Sequence, residues 1–90
     1  MVQIELVPDL SHCIETVAKR EYRETVEKLL AAEEGNGELQ ERIELLRIFL
    51  ETMDFRKLRV ESEKHLLEGR KVKFVVYIED GTSKYNLEVT

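Results

Sequence analysis

Two stretches near the end of the chain alternate apolar and polar residues with the two-residue period of a β-strand. The first covers residues 71–79 and the second covers residues 84–89. Asp80-Gly81 lies between them, and glycine adopts positive φ without steric cost, so the pattern predicts a β-hairpin. A lone hairpin is marginally stable in water, so other elements must cover its apolar face. That face carries Val72, Phe74, Val76 and Ile78.

A shorter alternation opens the chain. Val2, Ile4 and Leu6 are separated by polar residues and are followed by Pro8. Proline has no backbone N–H for a strand ladder and disfavours helix at the residue before it. The pattern therefore predicts a first strand that joins the hairpin as a third member.

Apolar residues at three- and four-residue steps predict two helices between these strands. The first runs from Asp9 or Ser11, both suitable N-caps, to Glu34, and the second covers residues 38–53. Gly35 suits a left-handed position after the first helix, and Asn36 suits the N-cap of the second. A linker this short places the two helices antiparallel.

Residues 54–68 fit two patterns. Leu58, Val60 and Ser62 alternate with charged residues, as in a strand. Opposite charges at residues 57/61, 59/63 and 64/68 are spaced four apart, as on a helix, with Asp54 as an N-cap and Gly69 after the end. We predict a helix here.

The predicted order is β-α-α-α-β-β. It corresponds to a two-layer α+β fold, in which an antiparallel helical hairpin and a third helix pack on a small antiparallel sheet of two or three strands. Ninety residues suffice for one core, so residues 1–90 are predicted to form a single domain.

Composition narrows the class of protein. Charged residues make up 37% of the chain, against about 25% in average soluble domains, and the scarcity of Asn and Gln is typical of thermophilic proteins. A single cysteine excludes an internal disulfide and a zinc site built on several thiolates. The start of the chain resembles no signal peptide, and no apolar run reaches the 18 residues of a membrane span. We therefore expect a cytoplasmic protein without cofactor or membrane contact.

No residue group predicts catalysis. Ser11, His12 and Cys13 are adjacent, and neighbours on a helix point about 100° apart, which does not suit a nucleophile and its base. Cys13 borders an apolar stripe and is expected to be a small buried residue. His65 and Glu61 are four residues apart, but a catalytic zinc site takes three protein ligands. We predict that the protein is not an enzyme.

The net charge of −5 is unevenly distributed. Residues 1–55 hold 6 Lys/Arg and 13 Asp/Glu, which gives −7, whereas residues 56–90 hold 8 and 6, which gives +2. This second part predicts a basic patch that could bind nucleic acid or another anionic ligand, although no nucleic-acid-binding motif accompanies it. Its candidate contact residues are Arg56, Arg59, Arg70, Lys71 and Lys73.

Two apolar features indicate an interaction surface instead. Val75 and Tyr77 lie on the strand face opposite the predicted core, where a two-layer fold should be polar. Leu45 and Ile48 widen the apolar surface of the second helix, which either lies between the first helix and the sheet or is covered by another subunit. We therefore predict a non-catalytic protein-interaction or homo-oligomerisation module, a homodimer or a binder of another protein, that uses this outer face or an edge strand.

Overall fold

The structure, a computed structural model, describes residues 2–90. Its elements are β1 (Gln3–Leu6), α1 (Ile14–Ala31), α2 (Gly37–Thr52), α3 (Phe55–Leu67), β2 (Val72–Glu79) and β3 (Thr82–Val89). This order confirms the predicted α+β fold, including the helix over residues 55–67. Met1, which belongs to the predicted 1–90 domain, lies outside the described residues.

The three strands form one antiparallel sheet in the order β1-β2-β3, so β2 is central. Ile4 of β1 and Tyr85 of β3 both lie opposite Val76 of β2. The helices cover the face that carries Val76, which we call the inner face. Phe74 and Val76 on this face are fully buried.

Helix α2 packs against both α1 and the sheet, which explains its broad apolar surface. It contacts α1, β2 and β3. Leu46 and Phe49 are completely inaccessible to solvent, and the Phe49 ring meets the Phe55 ring of α3 edge-on at 5.5 Å. Leu45 is 1% exposed in the same core. The apolar surface of α2 is thus largely buried within its own chain.

Helix α1 is shorter at both ends than predicted. Asp9 Oδ1 accepts hydrogen bonds from the backbone N–H groups of Ser11 (2.8 Å) and His12 (2.7 Å), which closes a separate turn. Neither Asp9 nor Ser11 caps the helix, which begins at Ile14. At the other end Leu30 is 80% exposed, because the three- and four-residue spacing continues beyond the surface against which α1 packs.

The loop after α1 also differs from the prediction. The helix ends at Ala31, and Ala32 occupies the C-cap in an extended conformation. The two glycines with positive φ are Gly69 and Gly81, so Gly35 does not take the predicted left-handed position.

The predicted caps of the other helices are confirmed. Asn36 Oδ1 accepts from the N–H groups of Glu38 (3.0 Å) and Leu39 (3.2 Å) at the start of α2. Asp54 Oδ1 accepts from the N–H of Lys57 at 3.2 Å at the start of α3. These bonds satisfy N–H groups that have no partner within the first helical turn.

The predicted hairpin turn is present as well. Asp80 (φ 54°) and Gly81 (φ 77°) are both left-handed and connect Glu79 to Thr82, which lie opposite each other. Two positive φ values in a two-residue loop match the right-handed twist of the flanking strands. The turn therefore fixes the register of the whole β2-β3 pair.

Candidate interaction surface

The sheet face opposite the helices, the outer face, carries Val75 and Tyr77 in the middle of β2, as predicted. Val75 lies between Glu5 of β1 and Asn86 of β3. It is only 8% exposed, although no helix covers it, and Tyr77 is half-buried. The cover must come from neighbouring side chains of the sheet itself.

Charged side chains on the outer face are placed to form that cover. Lys73 Nζ lies 3.5 Å from Glu5 Oε1 and 3.8 Å from Glu88 Oε1, so Lys73 bridges all three strands next to Val75. The alkyl part of a lysine covers apolar surface while its ammonium group stays in water. Val75 therefore offers little accessible surface for the predicted interface.

The two candidate interface residues on α2 also differ from each other. Leu45 is part of the core, so it contributes no accessible surface. Ile48 is half-buried. Of the four predicted interface residues, Ile48 and Tyr77 alone retain substantial solvent contact.

Strand β3 forms a long edge of the sheet. Lys71 and Thr90 exchange two backbone hydrogen bonds, of 2.8 and 2.9 Å, just beyond β2 and β3. Bonded pairs in an antiparallel ladder recur every second residue, so the even-numbered residues of β3 bond to β2. The odd-numbered residues direct their N–H and C=O groups toward the free edge: Ser83, Tyr85, Leu87 and Val89. Within residues 2–90, β3 pairs with no strand other than β2.

The inner side of this edge is apolar and incompletely covered. Tyr85 and Leu87 pack against the core but remain half-buried, and Val89 is half-buried too. The Tyr85 hydroxyl donates to Glu61 Oε2 of α3 at 3.1 Å. Burial, followed by the neighbouring Glu61 carboxylate, raises the pKa of Tyr85. The sequence shows the alternation of β3, but its position at an edge is visible only in the sheet order.

The predicted basic residues do not converge on one surface. Arg56 and Arg59 line a cleft of about 400 Å³ between α3 and the start of α1. Lys71 and Lys73 line another groove, of about 230 Å³, beside Glu88. Arg70 Nη2 lies 3.3 Å from Glu68 Oε2.

Acidic residues accompany the basic ones in both places. Glu15 and Glu63 belong to the α1-α3 cleft, and Arg59 Nε lies 3.0 Å from Glu63 Oε1. Paired carboxylates reduce the positive potential available to an anionic ligand.

Cys13 lines the α1-α3 cleft and occupies the N-cap of α1. Its Sγ lies 3.3 Å from Thr16 Oγ1, and hydrogen bonds from the Thr16 hydroxyl and backbone N–H lower the pKa of the thiol. The thiol is half-buried, so it is more accessible than the expected core cysteine.

The histidines have separate partners. His12 Nδ1 lies 3.3 Å from Asp9 Oδ1, and His65 Nδ1 lies 3.4 Å from Arg70 Nη1. Hydrogen bonds from the backbone N–H groups of His12 and Ser11 hold the pKa of Asp9 below its usual value. Among residues 2–90, no three His, Cys, Asp or Glu side chains are grouped as metal ligands would be.

Comparison with known proteins places the chain in a family. Residues 2–88, which include every strand and helix described above except the last residue of β3, match the model of one uncharacterised protein family. The chain belongs to this family. No curated protein and no solved structure matches it. No helix within residues 2–90 is both long and apolar enough to cross a membrane.

Proposed function

We propose that the protein is a non-catalytic self-association module, in which the free edge of β3 binds the β3 edge of a second copy. The observation that carries this proposal is the edge itself. It is eight residues long, it has outward-directed backbone groups at every second residue, and it is bordered by half-buried apolar side chains. Unpaired edge strands of this length are templates for pairing with another strand.

The other edge of the sheet supports pairing less well. Strand β1 has four residues, and Pro8 follows shortly after its end. A pair of β3 strands forms about twice as many backbone hydrogen bonds as a pair of β1 strands. Pairing of β3 with β3 also closes after two copies, whereas pairing of β3 with β1 leaves a free edge at each end and continues into a ring or a filament. The proposed assembly is therefore a dimer with a six-stranded sheet.

A single proline substitution in β3 tests the proposal. In Leu87→Pro the lost N–H is one that points to the free edge, so the bonds to β2 remain while the intermolecular ladder loses a donor. We expect the unaltered protein to be a dimer by light scattering and Leu87→Pro to be a monomer with the same far-ultraviolet circular dichroism. Leu87→Ala, the matched control, removes side-chain contacts but keeps the N–H and should still dimerise.

A second variant distinguishes the loss of strand pairing from misfolding of Leu87→Pro. Leu87→Lys keeps every backbone group and places a charge on the apolar side of the edge, a device that prevents strands from pairing. We expect it to be monomeric. An unaltered protein that stays monomeric when concentrated, or a Leu87→Pro variant that is folded and still dimeric, would contradict the proposal.

A further inference from the structure

We infer that the two β3 strands pair with their two-fold axis at Asn86, which places Lys84 of each copy opposite Glu88 of the partner subunit. The inference rests on the proposed function and adds to it the register and the residues that select it. A two-fold antiparallel pair brings together residues whose numbers have a constant sum. An axis at Asn86 makes that sum 172.

The alternation along β3 of residues that bond to β2 and residues that face the free edge is compatible with this register. The free N–H and C=O groups belong to the odd-numbered residues, as fixed by the Lys71–Thr90 bonds. An axis at Asn86 places Tyr85 opposite Leu87 of the partner subunit, so odd residues bond to odd residues. The even-numbered residues then form the pairs without hydrogen bonds, in which side chains approach more closely.

The charges on the outer face distinguish this register from its neighbours. Lys84 and Glu88 are the only charged residues of β3, and they lie two positions on either side of Asn86. An axis at Asn86 therefore creates two Lys–Glu pairs. An axis at Lys84 or at Glu88 instead places two like charges opposite each other, which is destabilising.

Shifts of the axis by one residue lose the ion pairs as well. An axis at Tyr85 places Lys84 opposite Asn86 of the partner subunit, and an axis at Leu87 places Glu88 opposite the same residue. Neither register forms a charged pair directly across the strands. Among these five registers, the one centred on Asn86 alone satisfies both charges.

The inner side favours the same arrangement. Tyr85 and Leu87 are half-buried in the single chain and would face each other twice across the interface. Aromatic and aliphatic cross-strand pairs stabilise antiparallel sheets. The register thus combines two apolar pairs on the inner side with two ion pairs on the outer side.

Charge reversal tests the register through mixing. Lys84→Glu gives two Glu–Glu contacts in its homodimer, and Glu88→Lys gives two Lys–Lys contacts, so each alone should dimerise about tenfold to a hundredfold more weakly. A mixture of the two variants should form a heterodimer in which both pairs are attractive again. The double variant K84E/E88K should likewise dimerise as the unaltered protein does.

Each variant also loses an ion pair within its own chain. Lys84 Nζ lies 3.1 Å from Glu79 Oε1, and Glu88 Oε1 lies 3.8 Å from Lys73 Nζ. That loss is the same in the mixture as in the separate variants. Recovery on mixing, measured by native mass spectrometry, therefore reports on the contact between copies. Weak homodimers that do not recover on mixing would overturn the register.

Cross-linking gives an independent measurement. In a Cys13→Ser background, Asn86→Cys would place two thiols at the axis in a pair without hydrogen bonds, where the Cα atoms are about 4.5 Å apart and a disulfide fits. Lys84→Cys is the matched control, because its two thiols would be four residues apart along the strands, about 13 Å. We expect rapid oxidation to a covalent dimer for Asn86→Cys and none for Lys84→Cys.

The outcomes separate the two proposals. A covalent dimer from Lys84→Cys but not from Asn86→Cys would overturn the register and leave self-association through β3 intact. A dimer that neither variant cross-links and Leu87→Pro leaves unchanged would overturn both, as would a strict monomer. Larger open-ended assemblies would indicate pairing of β3 with β1 and would also overturn the register.

Discussion

Val75 and Val76 are neighbours on the central strand, and both are almost inaccessible to solvent, at 8% and 0% exposure. Val76 faces the inner side, where the helices enclose it. Val75 faces the outer side, where Lys73 and the adjoining strands cover it with charged and polar side chains. Two valines are thus buried in different ways, Val76 beneath the helices and Val75 among the side chains of the outer face.

The difference shows where the sheet remains incomplete. Its inner face is filled by helices, and its outer face is covered by its own polar residues. Within residues 2–90, the outward-directed backbone groups of β3 have neither kind of partner. The sequence pattern indicated the outer face or an edge strand as the interaction surface, and our proposal uses the edge because of these groups.

The largest effect on the free energy of unfolding is expected when Val76 or Val75 is replaced by alanine, and the two losses should differ. Val76→Ala leaves a cavity between sheet and helices and should lower the free energy of unfolding by about 2–3 kcal/mol. Val75→Ala should cost only about 1 kcal/mol, because the flexible side chains above it can close over the smaller residue. Urea denaturation at one fixed protein concentration measures both, and equal losses would contradict the comparison.

The Tyr85–Glu61 contact extends the inner-face packing to α3 and gives a pH-dependent signal. The raised pKa of Tyr85 means that the folded protein retains the phenol proton to higher pH than the unfolded chain. The stabilisation that comes from this difference in the pKa of Tyr85 is fully present below the ordinary tyrosine pKa of about 10. It is lost as the pH rises above that value. We expect the free energy of unfolding to fall less steeply above pH 10 in Tyr85→Phe.

At neutral pH, Tyr85→Phe should cost about 1 kcal/mol, the usual contribution of one hydrogen bond. Tyr77→Phe, which removes a hydroxyl from the outer face, is the control for this measurement at neutral pH. Identical alkaline slopes for Tyr85→Phe and the unaltered protein would show that the Tyr85 phenol does not couple to folding.

The smallest effect is expected from Lys73 on the outer face. Lys73→Met removes both ion pairs but keeps a long side chain over Val75, so it should change the free energy of unfolding by less than about 0.5 kcal/mol. Lys73→Ala also removes the cover and should cost about 0.5 kcal/mol more. A larger loss for Lys73→Met than for Lys73→Ala would mean that charge, rather than cover, matters at this position.

The elements were predictable because their signals are local. Alternation identified the strands, Asp80-Gly81 identified the turn, and Asn36 and Asp54 identified two helix starts. The start of α1 was not predicted, because Asp9 has two local uses for its carboxylate, as a helix cap or as the acceptor in a turn. The spacing of nearby apolar residues cannot decide between them.

The environment of the candidate interface and basic residues was less predictable, because it depends on strand register and on how the helices pack. The two-residue period assigns Val75 to the outer face, but the residues opposite it, Glu5 and Asn86, come from the two adjacent strands. The separation of Arg56 and Arg59 from Lys71 and Lys73 likewise depends on how α3 packs against β2. Neither relation is present in any short stretch of sequence.

The position of β1 has a consequence for the order in which the protein folds. Glu5 and Lys73, which meet across the β1-β2 pair, are 68 residues apart in the chain. The β2-β3 hairpin, by contrast, closes through a two-residue turn. During synthesis β1 emerges before all three helices, and β2, with which it pairs, is made after them. The strand therefore has to remain free of wrong partners while the three helices are made, and only then can the sheet be completed.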